Sequence, residues 1–221
     1  MNRTILTAIA AIAFFASPTA HGAERVTFAV GEESFSIPVP DGYCVPDGRD
    51  KQILDLTASG DKQNITPVSL IRCERKNHPE GIGLDYILVK APQAVLATRI
   101  GRPEFLKMME PEMGKAEWQE QKNGKILDGV SKDVSEAVGS DITVTGSIGP
   151  HGVDSDCAYL GGVLDVATAA GKQSILVGAC LTSTGDKVMT VNAYGAPNSP
   201  GGLAAQMRRA HDLAMQIRSA R

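Results

Sequence analysis

A histidine and two carboxylates lie close together in the segment HGVDSD, as His151, Asp154 and Asp156. An imidazole and carboxylates on a glycine-flanked loop can act as general acids and bases or bind a cation. A calcium-binding EF-hand loop needs a ligand at its fifth position and glycine at its sixth. Counted from Asp154, these positions hold Ala158 and Tyr159, so that pattern fails. The segment is a candidate binding site, and a polar connecting loop accounts for the same residues.

Other catalytic signatures are fragmentary. Ser59 and Lys62 match the S-x-x-K pattern of penicillin-interacting enzymes, but no K-T-G or S-x-N follows. No G-x-S-x-G nucleophile motif occurs, and the glycine pairs lack the rest of a phosphate-binding fingerprint. His78 lies in a proline-containing turn, and His211 lies among helical residues where packing or surface exposure is expected. No catalytic residue and no cofactor is therefore predicted.

Residues 1–22 have the pattern of a secretory signal peptide. Arg3 is the only charged residue there, a short apolar run follows, and small residues near positions 20–23 offer a cleavage site. The apolar run is shorter than the roughly 20 residues that a spanning helix needs. The first cysteine is Cys44, far from the cleavage region, which argues against a lipoprotein. The mature chain, 23–221, is predicted to form one domain in the periplasm or outside the cell.

Export to an oxidising compartment makes the four cysteines a disulfide framework. Folding the hairpin about its turn at 168–169 places Cys157 directly opposite Cys180, within reach of a disulfide. We therefore predict bridges Cys157–Cys180 and Cys44–Cys73 among the three possible connectivities. No C-x-x-C pair supports redox exchange, and the wide spacing does not suit zinc.

Charge and composition exclude several partners. Without Arg3, the chain has 21 basic and 25 acidic residues, a net charge of −4. This mild acidity gives no reason to expect nucleic acid or an anionic membrane as a partner. Aromatic residues make up 5% of the chain, which does not favour a stacking platform for bases or sugars. No segment after the signal is apolar enough to span a bilayer.

Alternation of apolar and polar residues predicts a mostly antiparallel sheet. The predicted strands form a hairpin over 25–40 and continue at 65–73, 83–90, 141–148, 158–167, 174–181 and 188–194. Because Pro38 and Pro40 lack a backbone N–H, the second strand of the hairpin should lie at an edge or end there. The fold class is therefore α+β, a single domain with helices flanking the sheet.

Helices are predicted in three regions. A short helix is expected at 50–57, and two or three more across 102–136 should cover one face of the sheet. A C-terminal amphipathic helix should begin at Ser199 and Pro200, a good N-cap and N1 pair. Its arginines favour a solvated face and the negative end of the helix dipole over an anion site; they are Arg208, Arg209, Arg218 and Arg221.

The order of these elements resembles the PsbP-like fold. The resemblance is carried by the phrase FSIPVPDGY at the first strands, a central helical stretch, and a meander closing as KVMTVNAYGAP before the terminal helix. That family includes extrinsic photosystem subunits and small bacterial envelope proteins. The resemblance spans most of the mature chain and implies an antiparallel sheet with helices on its faces and a binding or scaffolding role. The cysteines depart from the family's pattern, and no catalytic residue is carried over.

Two functional hypotheses follow. The first is an exported, non-enzymatic binding or scaffolding protein whose partner is an envelope protein or a small ligand. The second is a small exported hydrolase or metal-dependent enzyme that uses His151, Asp154 and Asp156. A pocket beside the His151 segment would favour the second.

Overall fold

The computed structural model describes residues 24–115 and 121–220. The predicted signal peptide, 1–22, lies outside the described residues and stays a prediction. The elements in chain order are β1 Arg25–Val30, β2 Glu33–Pro38, β3 Tyr43–Cys44, α1 Gly48–Ser59, β4 Asn64–Arg72, β5 Tyr86–Pro92, α2 Arg102–Met113, α3 Gln121–Val138, β6 Thr143–Val153, β7 Ala158–Thr168, β8 Gly171–Thr184, β9 Lys187–Gly195, α4 Gly202–Ala214 and β10 Arg218–Ser219.

The strands form two antiparallel sheets. The larger has seven strands in the order β3-β4-β5-β9-β8-β7-β6, and the smaller has the order β1-β2-β10. The α+β class, with helices flanking a mostly antiparallel sheet, is confirmed. The prolines were predicted to place the second strand of the hairpin at an edge or to end it. The strand β2 ends at Pro38.

The main core lies on one face of the large sheet. Every second residue of β9 is buried, as expected for a strand with one face covered. On that face β9 packs against α4 and the small sheet, in a cluster that includes Val191, Ala210, Phe35 and Ile37. A second cluster, built on Phe105 and Leu106 of α2, contacts Leu181. Because Leu181 follows Cys180 of the main core in the same strand, α2 covers the opposite face.

Both predicted disulfides are present, but the predicted register of the hairpin is wrong by two residues. The sulfur atoms bridge Cys157 to Cys180 and Cys44 to Cys73. Cys180 pairs with Tyr159 and not with Cys157. The chain reverses one residue later than expected, through the two alanines after Thr168, and Thr168 pairs with Gly171. Cys157 therefore lies just before β7 and reaches Cys180 diagonally, with a Cα–Cα distance of 5.3 Å.

The C-terminal helix begins later than predicted. Ser199 and Pro200 belong to a turn in which Gly202 N donates to Ser199 O at 3.0 Å. Gly201 takes the N-cap position with a φ of 76°, a left-handed conformation that glycine adopts freely. After α4 the chain pairs with β2 as β10, a strand that the sequence did not indicate. The predicted helix at 50–57 is longer, and the 102–136 region forms α2 and α3.

Candidate functional site

His151 lies in a strand, whereas the two carboxylates predicted to act with it lie in the turn that follows that strand. His151 lies within β6 and is exposed, so it does not belong to the connecting loop. It is the extra residue of a bulge, since Pro150 pairs with Leu160 and Gly152 with Tyr159. The prediction of a loop histidine was therefore wrong about the local structure. Within residues 24–115 and 121–220, no group of three or more His, Cys, Asp or Glu side chains is arranged to hold a metal ion.

Asp154 holds the turn that precedes β7. One carboxylate oxygen accepts hydrogen bonds from the backbone N–H groups of Asp156 and Cys157, both at 2.8 Å. The other accepts from the hydroxyl of Tyr159 at 2.7 Å. Partial burial acts to raise the pKa of Asp154, but these donors outweigh it and lower the pKa. Both oxygens are thus occupied, and the carboxylate fixes the turn from which Cys157 enters the core.

Asp156 connects this turn to two helices. Its carboxylate accepts from Arg102 Nη1 of α2 at 3.2 Å and lies 3.6 Å from His211 Nε2 of α4. Its carbonyl oxygen accepts from the buried hydroxyl of Thr182 at 2.7 Å. Arg102 also donates through Nε to the carbonyl of Ser183 at 3.2 Å. The sequence did not predict Arg102 or His211 here, because each is more than 50 residues from Asp156 along the chain.

His211 lies between two carboxylates at the surface of α4. Nδ1 is 3.0 Å from Asp212 Oδ1, while Nε2 faces Asp156. The hydrogen bond with Asp212 raises the pKa of His211; partial burial opposes this, and Asp156 and Asp154 add to the increase. The Tyr159 ring lies 6.3 Å away, centroid to centroid. We call Asp154, Asp156, Tyr159 and His211 the His211 corner.

The His211 corner should make stability depend on pH. Because the pKa of His211 in the folded chain is above its ordinary value of 6.5, the folded state binds the proton more tightly than the unfolded state. The stabilisation by protonated His211 is complete at pH values below 6.5, the ordinary pKa of histidine, and is lost as pH rises through the pKa of His211 in the folded chain. Asp154 stays ionised over this window and cancels from the comparison. With the side chain 29% exposed, we expect an effect of about 1 kcal/mol or less.

Urea unfolding of the protein and of His211→Gln at pH 5.5 and pH 8.5 measures this effect. The variant should lose more stability relative to the unchanged chain at the lower pH. His78→Gln is the control, because His78 lies in an exposed turn with its Nδ1 as far as 3.9 Å from the Glu80 carboxylate. A larger loss for His211→Gln at pH 8.5 would contradict the assigned contacts.

A shallow groove of about 330 Å³ runs along the other flank of α4. It is lined by Pro40, Ala205, Arg208, Arg209, Asp212, Leu213 and Gln216. Arg208 is exposed, and Arg25 of β1 reaches the same region by donating to the carbonyl of Gln216 at 3.1 Å. Pro40, Ala205 and Leu213 supply apolar surface in this groove. We call this the α4 groove.

The prediction that the arginines of the C-terminal helix are solvated is wrong for Arg209. Its Nη1 donates to Asp85 Oδ1 at 2.7 Å and to the hydroxyl of Tyr43 at 2.6 Å. The guanidinium groups of Arg209 and Arg72 lie 5.6 and 5.1 Å from the centroid of the Tyr43 ring. Burial and the hydrogen bond to Asp85 raise the pKa of Tyr43, so the phenol stays protonated. This cluster fixes one side of the α4 groove to β3.

Comparison with known proteins gives likeness at the level of the fold only. No protein-family model matches the chain, and no curated protein matches it. The solution structure of cyanobacterial PsbP (CyanoP) from Synechocystis sp. PCC 6803 is similar, with 10% sequence identity and a TM-score of 0.43, over 94% of this chain and 99% of that chain. The predicted resemblance to the PsbP-like fold is confirmed as a likeness of layout. At this identity it assigns no residue a role.

Within the described ranges, none of the helices combines the length and apolar character needed to cross a membrane.

Proposed function

We propose that the protein is an exported, non-enzymatic binding or scaffolding protein that docks an acidic segment of an envelope protein in the α4 groove. The observation that carries this proposal is the charge of the groove. Within the part of the chain that the structure describes, Arg25 and Arg208 have no carboxylate partner, whereas Asp212 is engaged by His211. Two uncompensated guanidinium groups therefore border an apolar floor, in a mature chain predicted to carry a net charge of −4.

The contacts of the predicted site support binding over catalysis. Both carboxylate oxygens of Asp154 accept hydrogen bonds within their own turn, and Asp156 ties α2 to α4. His151, which the enzyme hypothesis needs beside them, lies in the bulge of β6. A general base must reach the proton that it removes. The hydrolase or metal-enzyme alternative therefore gains no support from these residues.

Export is the second part of the proposal. The predicted signal peptide at 1–22 and two disulfides fit a protein that folds in an oxidising compartment. Both bridges lie in the predicted mature chain, which carries four cysteines and no others. We therefore expect the docking partner to be a protein of the cell envelope.

Site-specific photo-crosslinking in cells tests the docking surface. A benzophenone amino acid at Gln216, which is exposed in the α4 groove, should capture a partner through a segment rich in Asp and Glu. The matched control is the same group at Met108 of α2, which is 53% exposed on the other side of the sheet. Mass spectrometry of the crosslinked peptide identifies the segment.

Charge reversal separates docking from chance contact. The double variant Arg25→Glu/Arg208→Glu should reduce the Gln216 crosslink at least ~10-fold, because like charges across an interface are repulsive. Raising the salt concentration during crosslinking on isolated envelopes should weaken it too. Equal capture from Met108, a non-acidic crosslinked segment, or a crosslink unchanged by charge reversal would each contradict the proposal.

A further inference from the structure

Two tyrosines lie against each other on the sheet face opposite α4. Tyr86 begins β5 and Tyr194 lies near the end of β9, and their rings are stacked with centroids 4.3 Å apart and planes 16° apart. Their neighbours Ile87 and Ala193 pair across the strands and are fully buried in the main core. Adjacent residues in a strand point to opposite faces, so both rings lie on the side away from α4. Both residues are half-buried.

A half-buried lysine, Lys90, lies on the same face. Residues i, i+2 and i+4 of a strand share a face, so Lys90 follows Tyr86 and Leu88. Lys90 Nζ lies 2.8 Å from Asp61 Oδ2, and the two side chains are 24% and 22% exposed. The other oxygen of Asp61 accepts from the backbone N–H groups of Gln63 and Asn64, at 3.1 Å each. The carboxylate is therefore fully engaged, whereas a lysine ammonium has three N–H donors.

Two buried polar atoms next to Lys90 have no hydrogen-bond partner within the described residues. They are Asn192 Nδ2 and Thr66 Oγ1. Asn192 pairs with Leu88 and Thr190 with Lys90, which places Asn192 between Tyr194 and the lysine on this face. Thr66 belongs to the irregular part of β4 opposite Lys90, because Ile65 pairs with Ala91 and Val68 with Val89. Buried polar groups without partners are uncommon and costly, and each needs an explanation.

We propose that this face binds a small carboxylate with a flat apolar body. The tyrosine face, defined as Thr66, Tyr86, Leu88, Lys90, Asn192 and Tyr194, offers donors at one end and rings at the other. Lys90 Nζ, Asn192 Nδ2 and the Thr66 hydroxyl all can donate, so they suit an anion rich in acceptors. The tyrosine rings and Leu88 supply the apolar surface that holds the body of the ligand.

The tyrosine face and the α4 groove lie on opposite sides of the large sheet. They share no residue. A negative result for protein docking in the groove would not affect the proposed carboxylate site, and a negative result for the carboxylate site would not affect the docking proposal. The two experiments are therefore independent.

Titration of the full mature protein with sodium benzoate, followed by amide chemical shifts, tests the site. Benzoate should give saturable shifts at β5 and β9 with a dissociation constant of ~1 mM or tighter. Benzamide keeps the aromatic ring but has no carboxylate charge, and acetate keeps the carboxylate but has only a methyl group as its apolar part. Each should bind at least ~10-fold more weakly than benzoate, because benzamide loses the charged contacts with the donors and acetate loses the contacts with the tyrosine rings.

Two variants identify the donors. Asn192→Leu and Thr66→Val each remove a buried polar atom that has no partner within the described residues, so neither should impair folding. Each should weaken benzoate binding several-fold, with thermal unfolding as the check on the fold. Lys172→Met is the control, because Lys172 on β8 is 63% exposed and pairs with Asp165.

Three results would overturn the proposal. The first is the absence of saturable shifts up to ~20 mM benzoate, which would leave ordered water as the partner of Asn192 and Thr66. The second is a set of shifts that maps to α4. The third is benzoate binding that is unchanged in both Asn192→Leu and Thr66→Val.

Discussion

Replacing Cys157 and Cys180 together with alanine should lower the free energy of unfolding by about 3 kcal/mol or more. The bridge joins residues 23 positions apart, and in the chain-entropy model a loop of this length accounts for about 3 kcal/mol. Both cysteines are fully buried within the main core, so removal of the sulfur atoms also leaves unfilled space there. Urea unfolding monitored by circular dichroism measures the change in unfolding free energy.

The second bridge provides the matched control. Cys44 and Cys73 are 29 positions apart, so the entropic contribution of their bridge should be similar. Cys73 is exposed, however, and its removal leaves no cavity in the core. The Cys44→Ala/Cys73→Ala variant should therefore lose less stability, and the difference between the two variants reports the packing around Cys157 and Cys180. A larger loss for the peripheral pair would contradict the assignment of the core bridge.

The strands were the most predictable part of the fold. Alternation indicated β9 because α4 and the small sheet together cover one face of that strand, so every second residue is apolar. The register of β7 and β8 was harder to predict from the sequence. Which residues occupy the turn depends on local conformation, and the pair of alanines after Thr168 has no strong turn preference of its own. The predicted disulfide was correct despite the wrong register, because two cysteines at diagonal positions on neighbouring strands can also form a disulfide.

The site residues were less predictable, since their partners are distant along the chain. His211 meets Asp156 only because α4 packs back over the sheet, and Arg209 meets Asp85 for the same reason. A helical arginine without a local partner is expected to be solvated, and no local pattern distinguishes Arg209 from Arg208. His151 was placed in a loop because its glycine neighbours suggest a turn, but they allow a bulge in β6 instead.

The position of α4 depends on a close approach that only glycine permits. A Cβ added to Gly178 of β8 would lie 2.4 Å from the backbone N of Met207 and 2.6 Å from the carbonyl C of Gln206. Because these are backbone atoms, no side-chain rotation relieves the clash, and the helix or the strand must move. Gly178→Ala should therefore cost about 2–3 kcal/mol of unfolding free energy, at the upper end of overpacking effects.

Gly149→Ala in β6 is the control for Gly178→Ala. A Cβ added to Gly149 would meet no atom within 4 Å. The loss of conformational freedom in the unfolded chain should then make Gly149→Ala neutral or stabilising by up to about 1 kcal/mol. Urea unfolding of both variants measures the contrast. Since α4 carries one side of both the groove and the His211 corner, Gly178→Ala should also weaken the crosslink from Gln216, whereas Gly149→Ala should leave it unchanged. Equal stability of the two variants would mean that α4 is not held against β8 at this distance.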